Sequence, residues 1–151
     1  MRRPRTGEPV VLDANILKEW FLELDRPGRR VAQALHESCA QFRYSPELAK
    51  EAMSAIHRHG SPVPRTKLLA FFEGPESKLG KVARSKTDSI SIEGPVRERL
   101  PHEDVHVVQL ALACRAVCLV TGDSMLHESL NALRTVIGIE AFHPGTDSFD
   151  D

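Results

Sequence analysis

Two apolar runs of this chain end on an aspartate, a pattern that can place carboxylates in a chemical site. Asp13 follows the residues VVL, and Asp123 follows CLVTG. Two further acids, Glu51 and Asp104, stand early in segments with a helical pattern. Taken singly, each has a structural explanation, as a helix cap, a turn residue or a solvated charge. Their chemistry therefore depends on whether the fold brings them together.

Carboxylates that gather at one point favour a divalent cation. Like charges held close together raise one another's pKa values, and a cation among them relieves this repulsion. Mg²⁺ and Mn²⁺ prefer oxygen ligands, and such ions activate water and stabilise the leaving oxygen when a phosphodiester is cleaved. His102 and His106 flank Asp104, but a zinc site needs more ligands at suitable spacing. We expect His106 to pack or to hydrogen-bond near the acids.

Strands that alternate with helices must position these acids. Apolar runs bounded by turn residues predict short buried strands, and helical patterns with clear starts, such as SPELAKEAM, lie between them. The alternation predicts an α/β fold of three layers, α/β/α, with a central, mostly parallel sheet. Residues 61–67 are predicted to be a loop and 68–74 a short helix. The predicted strands are 10–13, 40–45, 88–94, 117–123 and 134–142.

Helical periodicity separates some of the candidate acids but not all. In an open parallel sheet, ligands bind beyond the carboxyl ends of the strands, where the two aspartates that follow apolar runs are expected. Glu51 lies at the border of the apolar face of its predicted helix, whereas Glu47 points further towards solvent. Glu103 and Asp104 both stand at the start of a helix that is apolar almost all round, and periodicity does not choose between them.

The composition bounds the class of protein. A chain of 151 residues fits one domain with a core, so we predict a single domain over 1–151, with a basic N-terminal arm (1–8) and a mobile acidic tail (143–151). The formal net charge of −1 excludes a global basic field, so contacts to nucleic acid must be local. No apolar run approaches the roughly 18 residues of a membrane span, and no hydrophobic signal segment follows the arm, which favours the cytoplasm.

Three segments resemble the PIN domain, the nuclease fold of VapC-type toxins and related ribonucleases. They are VVLDAN, YSPELAKEAM and LPHEDVHVVQLALACRAVCLVTGDSML, and the resemblance in the order of elements covers about residues 9–142. It implies cleavage of RNA that depends on Mg²⁺ or Mn²⁺. It also implies a homodimer and, for a toxin, an antitoxin protein as partner.

The resemblance assigns the site residue by residue. It selects Glu51 rather than Glu47, and Asp104 rather than Glu103. Asn15 matches a polar residue that helps to hold the site, and Thr121 of the TGD segment is a further supporting candidate. The residues implied to ligate the metal and to carry catalysis are Asp13, Glu51, Asp104 and Asp123.

One departure from the family keeps another function open. Many members carry a further acid just after the last motif, where this chain has Ser124 and Met125. A non-catalytic PIN-like module that binds RNA or a protein is therefore the alternative. A phosphoacceptor receiver domain is disfavoured, because no acidic pair follows the first strand and no lysine follows the last.

The candidates for RNA contact are Lys78, Lys81, Arg84 and Lys86.

Overall fold

A four-stranded parallel sheet lies at the centre of the computed structural model, which describes residues 1–60, 62–73 and 80–150. The strand order is β2-β1-β3-β4, so the predicted α/β fold of three layers with a parallel sheet is confirmed. The strands are β1 (Pro9–Leu12), β2 (Gln41–Phe42), β3 (Cys118–Val120) and β4 (Ala141–Phe142). The helices of the described residues are α1 (Ala14–Phe21), α2 (Pro27–Glu37), α3 (Pro46–His57), α4 (Pro62–Glu73), α5 (Arg84–Asp88), α6 (Gly94–Arg97), a 3₁₀ helix (His102–Asp104), α7 (Val105–Ala113), α8 (Ser124–Ala132) and α9 (Arg134–Ile137).

The two central strands bring the ends of distant segments side by side. Val10 and Val11 are fully buried, as expected for a strand with apolar residues on both faces of a covered sheet. In the parallel pairing of β1 with β3, Leu12 stands opposite Val120. The N–H of Asp13 donates to the carbonyl of Val120 at 2.9 Å. The residues that follow the two strands therefore start from adjacent positions.

Helix caps account for the turns that leave the strands. The carboxylate of Asp13 accepts from the N–H of Ala14 at the start of α1, and that of Asp123 accepts from the N–H groups of Met125 and Leu126 at the start of α8. The hydroxyl of Ser45 accepts from the N–H of Leu48 at 3.1 Å, and Pro46 occupies the first position of α3. Both aspartates thus act as helix caps through Oδ1, and Oδ2 of each takes no part in the capping bonds.

One predicted strand is wrong, and a second is much shorter than predicted. Residues 88–94 form no strand: α5 ends at Asp88, and the chain then runs irregularly to α6. Ile92 is half-buried against the core, so its apolar character is used by a docked loop rather than by a sheet. Most of 134–142 is also not a strand, because α9 occupies its first part and ends at Gly138, whose φ is 78°. Only Ala141 and Phe142 pair with β3.

The predicted loop at 61–67 is also wrong for its described part. Helix α4 begins at Pro62 and continues to Glu73, and it buries Leu68 and Phe72. Proline is tolerated in the first turn of a helix, because the N–H it lacks would have no helical acceptor there. The pattern PVPR therefore marks the start of a helix rather than a loop.

The two ends of the chain contact each other. The ring of Phe149 stacks on Phe142 with centroids 4.3 Å apart, and the guanidinium of Arg3 lies 5.8 Å from the Phe149 ring centre. The terminal ammonium of Met1 lies 3.4 Å from the carboxylate of Asp150. These contacts join the basic arm to the acidic tail, and the mobility predicted for the tail stays a prediction. Within the described residues, no helix combines the length and the apolar character that a membrane crossing requires.

Candidate active site

The predicted acids line one cleft at the carboxyl ends of β1 and β3. Its volume is about 530 Å³. Helices α1 and α3 form its sides, and the 3₁₀ helix and the start of α8 close it. The acidic residues that line it are Asp13, Glu51, Glu103, Asp104 and Asp123. Glu47 is not among the lining residues, so the helical position separates it from Glu51 as periodicity indicated.

Asp13 is a buried carboxylate whose two oxygens both accept hydrogen bonds. Its side chain is only 6% exposed. Oδ1 accepts from the N–H of Ala14 at 2.8 Å, and Oδ2 accepts from the hydroxyl of Thr121 at 2.8 Å. Burial raises the pKa of Asp13, the two hydrogen bonds offset part of this effect, and the charge of Glu51 adds to it. Asp13 is thus fixed in position and is costly to keep ionised.

The segment after β3 is held by side chains on both of its sides. Thr121 is fully buried, and its hydroxyl also accepts from the N–H of Asp123 at 3.1 Å. Asn15 accepts from the N–H of Gly122 through Oδ1 at 3.3 Å. Oδ1 of Asp123 accepts from the N–H of Met125 at 2.9 Å. The predicted supporting residues therefore contact the segment that carries Asp123.

Asp104 is a second buried acid of the cleft. It ends the 3₁₀ helix, its side chain is 8% exposed, and its Oδ2 is buried without a hydrogen-bond partner among the described residues. Burial raises its pKa to about 7, with further contributions from the charges of Asp13, Asp123 and Glu103. Glu103 beside it is exposed. Burial therefore separates the two acids that periodicity left open.

Glu51 lines the same cleft, and its side chain is paired with His106. Its carboxylate, about half exposed, pairs with Nε2 of His106 on α7. The other ring nitrogen, Nδ1, is buried without a hydrogen-bond partner among the described residues and lies 3.9 Å from Glu47. Glu47 in turn pairs with Arg84 at 3.4 Å. A chain of polar contacts thus runs along the outer side of the cleft and holds Glu51 against its wall, as expected of a histidine that hydrogen-bonds near the acids.

A hard divalent cation fits this set of donors. The lining acids offer only oxygen atoms as ligands, and one buried oxygen of Asp104 lacks a hydrogen-bond partner within the described part of the chain. The pKa of Asp104 is raised to about 7, and a positive charge beside it would lower this pKa. In the side-chain positions of the described residues, no three acidic, histidine or cysteine side chains lie close enough together to hold an ion. A bound ion would therefore need movement of a side chain, and Glu51 is the exposed one of the four predicted ligands.

Ser124 and His143 form a contact beside Asp123 that sequence reasoning missed. Oγ of Ser124 lies 3.4 Å from Nε2 of His143. The N–H of Gly145 donates to Nδ1 of the same ring at 3.0 Å, so the proton of a neutral His143 sits on Nε2 and points at the hydroxyl. The ring is therefore a donor to Ser124, which argues against a serine nucleophile activated by this histidine.

The predicted RNA-contact residues do not line the cleft where the structure describes them. Arg84 pairs with Glu47, Lys81 forms an isolated β-bridge with Tyr44, and Lys86 is exposed on α5. Lys78 lies outside the described residues. Three other basic residues line the cleft instead. The sequence contained a signal for them, because two follow Asn15 and Glu51 at helical spacing and the third stands next to Glu51. They are Lys18, Lys50 and Arg58.

Comparisons with known proteins bear on the fold. No family model matches the chain, and no curated protein matches it. Among solved structures, a chain of FitAcB from Neisseria gonorrhoeae is similar, with a TM-score of 0.55 over 91% of this chain and 99% of that chain. The fold is PIN-like. At 13% identity the likeness extends to the architecture alone.

Proposed function

We propose that this PIN-like domain is a metal-dependent ribonuclease that hydrolyses RNA phosphodiester bonds with Mg²⁺ or Mn²⁺. The proposed ligands and catalytic residues are Asp13, Glu51, Asp104 and Asp123. One observation carries the proposal: Asp104 is buried against two other aspartates with an oxygen that has no partner among the described residues, and its pKa is raised to about 7. Such an arrangement is unfavourable for a structural acid and becomes favourable when a cation binds.

The side chains of the cleft have separable roles in this proposal. When bound, a divalent ion supplies positive charge next to a phosphoryl oxygen and makes an attacking water more acidic. Asp13 presents an oxygen whose direction is fixed by Thr121 and by the backbone of α1. Asn15 holds the backbone of Gly122 and thereby the position of Asp123. Glu51, which pairs with His106, would complete the ligand set if its side chain turned towards the other acids.

A cleavage assay tests the proposal. A fluorescent RNA with single-stranded and hairpin parts is incubated with the protein in Mg²⁺, Mn²⁺ or EDTA, beside Asp13→Asn and Asp104→Asn. We expect cleavage in either metal, none in EDTA, and a loss of at least 100-fold in both variants. Asp25→Asn serves as the matched control, because Asp25 is 98% exposed and pairs with Arg30 outside the cleft. Cleavage that survives EDTA, or that both active-site variants retain, contradicts the proposal.

The alternative function makes a different prediction in the same assay. A non-catalytic RNA-binding module shifts the RNA in a gel and leaves it intact in every metal. A module that binds only proteins does neither. The partial loss of acids after Asp123, where Ser124 and the 70% exposed Met125 stand, is the feature that favours such a module. Intact RNA together with unchanged thermal stability in Mn²⁺ would support it.

The proposal extends to partners by the resemblance to VapC-type toxins. We propose a cytoplasmic homodimer that an antitoxin protein holds inactive. Light scattering of the purified chain tests the dimer. Growth arrest on induction, absent in Asp13→Asn and relieved by co-expression of the protein encoded next to it, tests the toxin and its antitoxin.

A further inference from the structure

We infer that Lys18, Lys50 and Arg58 form a phosphate-binding wall that guides single-stranded RNA to the carboxylates. The three residues line the same cleft as the acids. This inference rests on the proposed function for its substrate class, but it concerns binding rather than cleavage, so the two can fail separately.

Two helices each present a short stripe of side chains to the cleft. On α1 the stripe is Asn15 and Lys18, three residues apart, and on α3 it runs from Glu51 through Ser54 and Ala55 to Arg58. Residues at these spacings share one helix face. At a rise of 1.5 Å per residue, Arg58 lies about 10 Å further along the α3 axis than Glu51. Arg58 therefore lies about two turns beyond Glu51, whereas Lys50 stands next to Glu51 in the chain.

The three cations of the wall offset the electrostatic repulsion between RNA and the acids of the cleft. A polyanion that approaches five acidic side chains in one cleft is repelled, and a formal net charge of −1 supplies no general attraction. Cations on the same cleft offset this repulsion where the backbone of the RNA enters. The basic residues at 81, 84 and 86 do not line the cleft, and one of them is already paired with Glu47.

The depth of the acids favours a single strand. Asp13 and Asp104 are 6% and 8% exposed, so the reacting phosphate must turn into the cleft to reach them. A flexible single strand can make that turn, whereas a phosphate of an A-form duplex is held by base pairing on the outside of a stiff helix. Ser54 and Ala55, which line the cleft between the cations of α3, have small side chains.

Binding measured without a divalent ion tests the wall apart from catalysis. Fluorescence anisotropy follows a labelled 12-nucleotide RNA in EDTA over a series of NaCl concentrations. For the triple variant Lys18→Gln, Lys50→Gln, Arg58→Gln we expect binding weakened by at least tenfold at low salt. The slope of log K against log salt should fall by about 2, since each phosphate contact on a single strand contributes about 0.7.

The matched control removes the same charge from another surface. The variant Lys67→Gln, Lys81→Gln, Lys86→Gln, at three exposed lysines that do not line the cleft, should keep the affinity within about twofold and keep the slope, because electrostatic contact at a wall is local and surface charges outside it are screened. Circular dichroism and thermal melting verify that both variants are folded. A duplex of the same length should bind at least tenfold more weakly than the single strand.

Three results would overturn the inference: no RNA binding by the wild type in EDTA, equal binding by wild type and wall variant, or an equal loss in the control variant. Tight binding through the wall with no cleavage in any metal would leave the wall standing and remove the nuclease. Cleavage with an unchanged KM in the wall variant would remove the wall and leave the nuclease.

Discussion

The hydroxyl of Thr121 donates a hydrogen bond of 2.8 Å to Oδ2 of Asp13 and accepts one of 3.1 Å from the N–H of Asp123. A single buried side chain thus joins the acid that follows β1 to the acid that follows β3. The link requires the direct pairing of these two strands, since the residues are more than a hundred positions apart in the chain. Thr121 therefore determines the relative position of two acids of the cleft.

Replacement of Thr121 by valine should destabilise the fold and disorder the cleft. Valine keeps the volume but leaves a carboxylate oxygen and a backbone N–H buried without partners, so we expect the free energy of unfolding to fall by about 2–3 kcal/mol. Thr121→Ser keeps the hydroxyl and loses one buried methyl, at a cost of about 1 kcal/mol. Urea unfolding at pH 7 measures both. A valine variant at least as stable as the serine variant would show that the two hydrogen bonds contribute little.

The stability of the protein should fall as the pH rises from about 4 to about 7. In this range folded Asp104, whose pKa is raised from 3.8 to about 7, keeps a proton that the unfolded chain has released. A rise in pH therefore lowers the free energy of the unfolded state relative to that of the folded state. The raised pKa of Asp13 acts in the same direction. Asp104→Asn removes the contribution of Asp104 to this dependence and leaves that of Asp13, and we expect the variant to exceed the stability of the wild type at pH 8 by about 1–2 kcal/mol, after solvent screening is allowed for.

Urea unfolding at pH 4, 6 and 8 measures this effect, with Asp25→Asn as the control for loss of one exposed charge. Asp25→Asn should follow the wild-type pH profile. Parallel profiles for wild type and Asp104→Asn would mean that the buried acid is not the source of the pH dependence.

Mn²⁺ should raise the melting temperature of the wild type. Binding to the folded state alone, at a concentration 100 times the dissociation constant, contributes about 2.7 kcal/mol, which corresponds to a shift of about 5–10 °C for a chain of this size. The shift should be larger at pH 8 than at pH 5.5, because the ion competes with protons for the acids, and it should be lost in Asp104→Asn. An unchanged melting temperature of the wild type at millimolar Mn²⁺ would be evidence against the metal site.

Gly122 of the TGD segment should tolerate alanine. A Cβ there would lie 3.7 Å from the side chain of Asn15, an ordinary contact, and the φ of Gly122 is not in the left-handed region. We expect a change within about 0.5 kcal/mol. Gly138→Ala is the contrast, since Gly138 has a φ of 78° and a side chain there costs about 1 kcal/mol or more. Thermal melting of both variants checks the difference, and an equal cost at the two sites would contradict it.

Phe149→Ala should destabilise the domain through the tail. The Phe149 ring stacks on Phe142 with an interplanar angle of 17° and lies under Arg3, and loss of such a pair costs about 1–2 kcal/mol with its buried area. Phe149→Leu keeps much of the apolar contact and should lose less. Unchanged unfolding in Phe149→Ala would instead support the mobile tail that composition predicts.

Local sequence determined the parts of the site that depend on local physics. A continuous apolar run predicts a strand buried on both faces, and an aspartate after it predicts a capped helix, so the placement of Asp13 and Asp123 at strand ends followed from their immediate neighbours. The start of α3 at Ser45 and Pro46 was equally local. These features depend on the burial of apolar side chains in a strand and on the capping of unpaired N–H groups at the start of a helix, and both involve only a few neighbouring residues.

Tertiary structure decided what depends on distant packing. The alternation of Ile90 and Ile92 fits a strand, yet no neighbour in the sheet pairs with it, and the segment docks as a loop. The exposure of Glu103 and the burial of Asp104 depend on how the start of α7 meets the ends of β1 and β3. Lys18 faces the acids only because α1 packs beside α3, and sequence spacing alone does not specify which helices share a cleft. The sequence thus contained the acids and their caps, while strand order and helix packing selected the charges that face them.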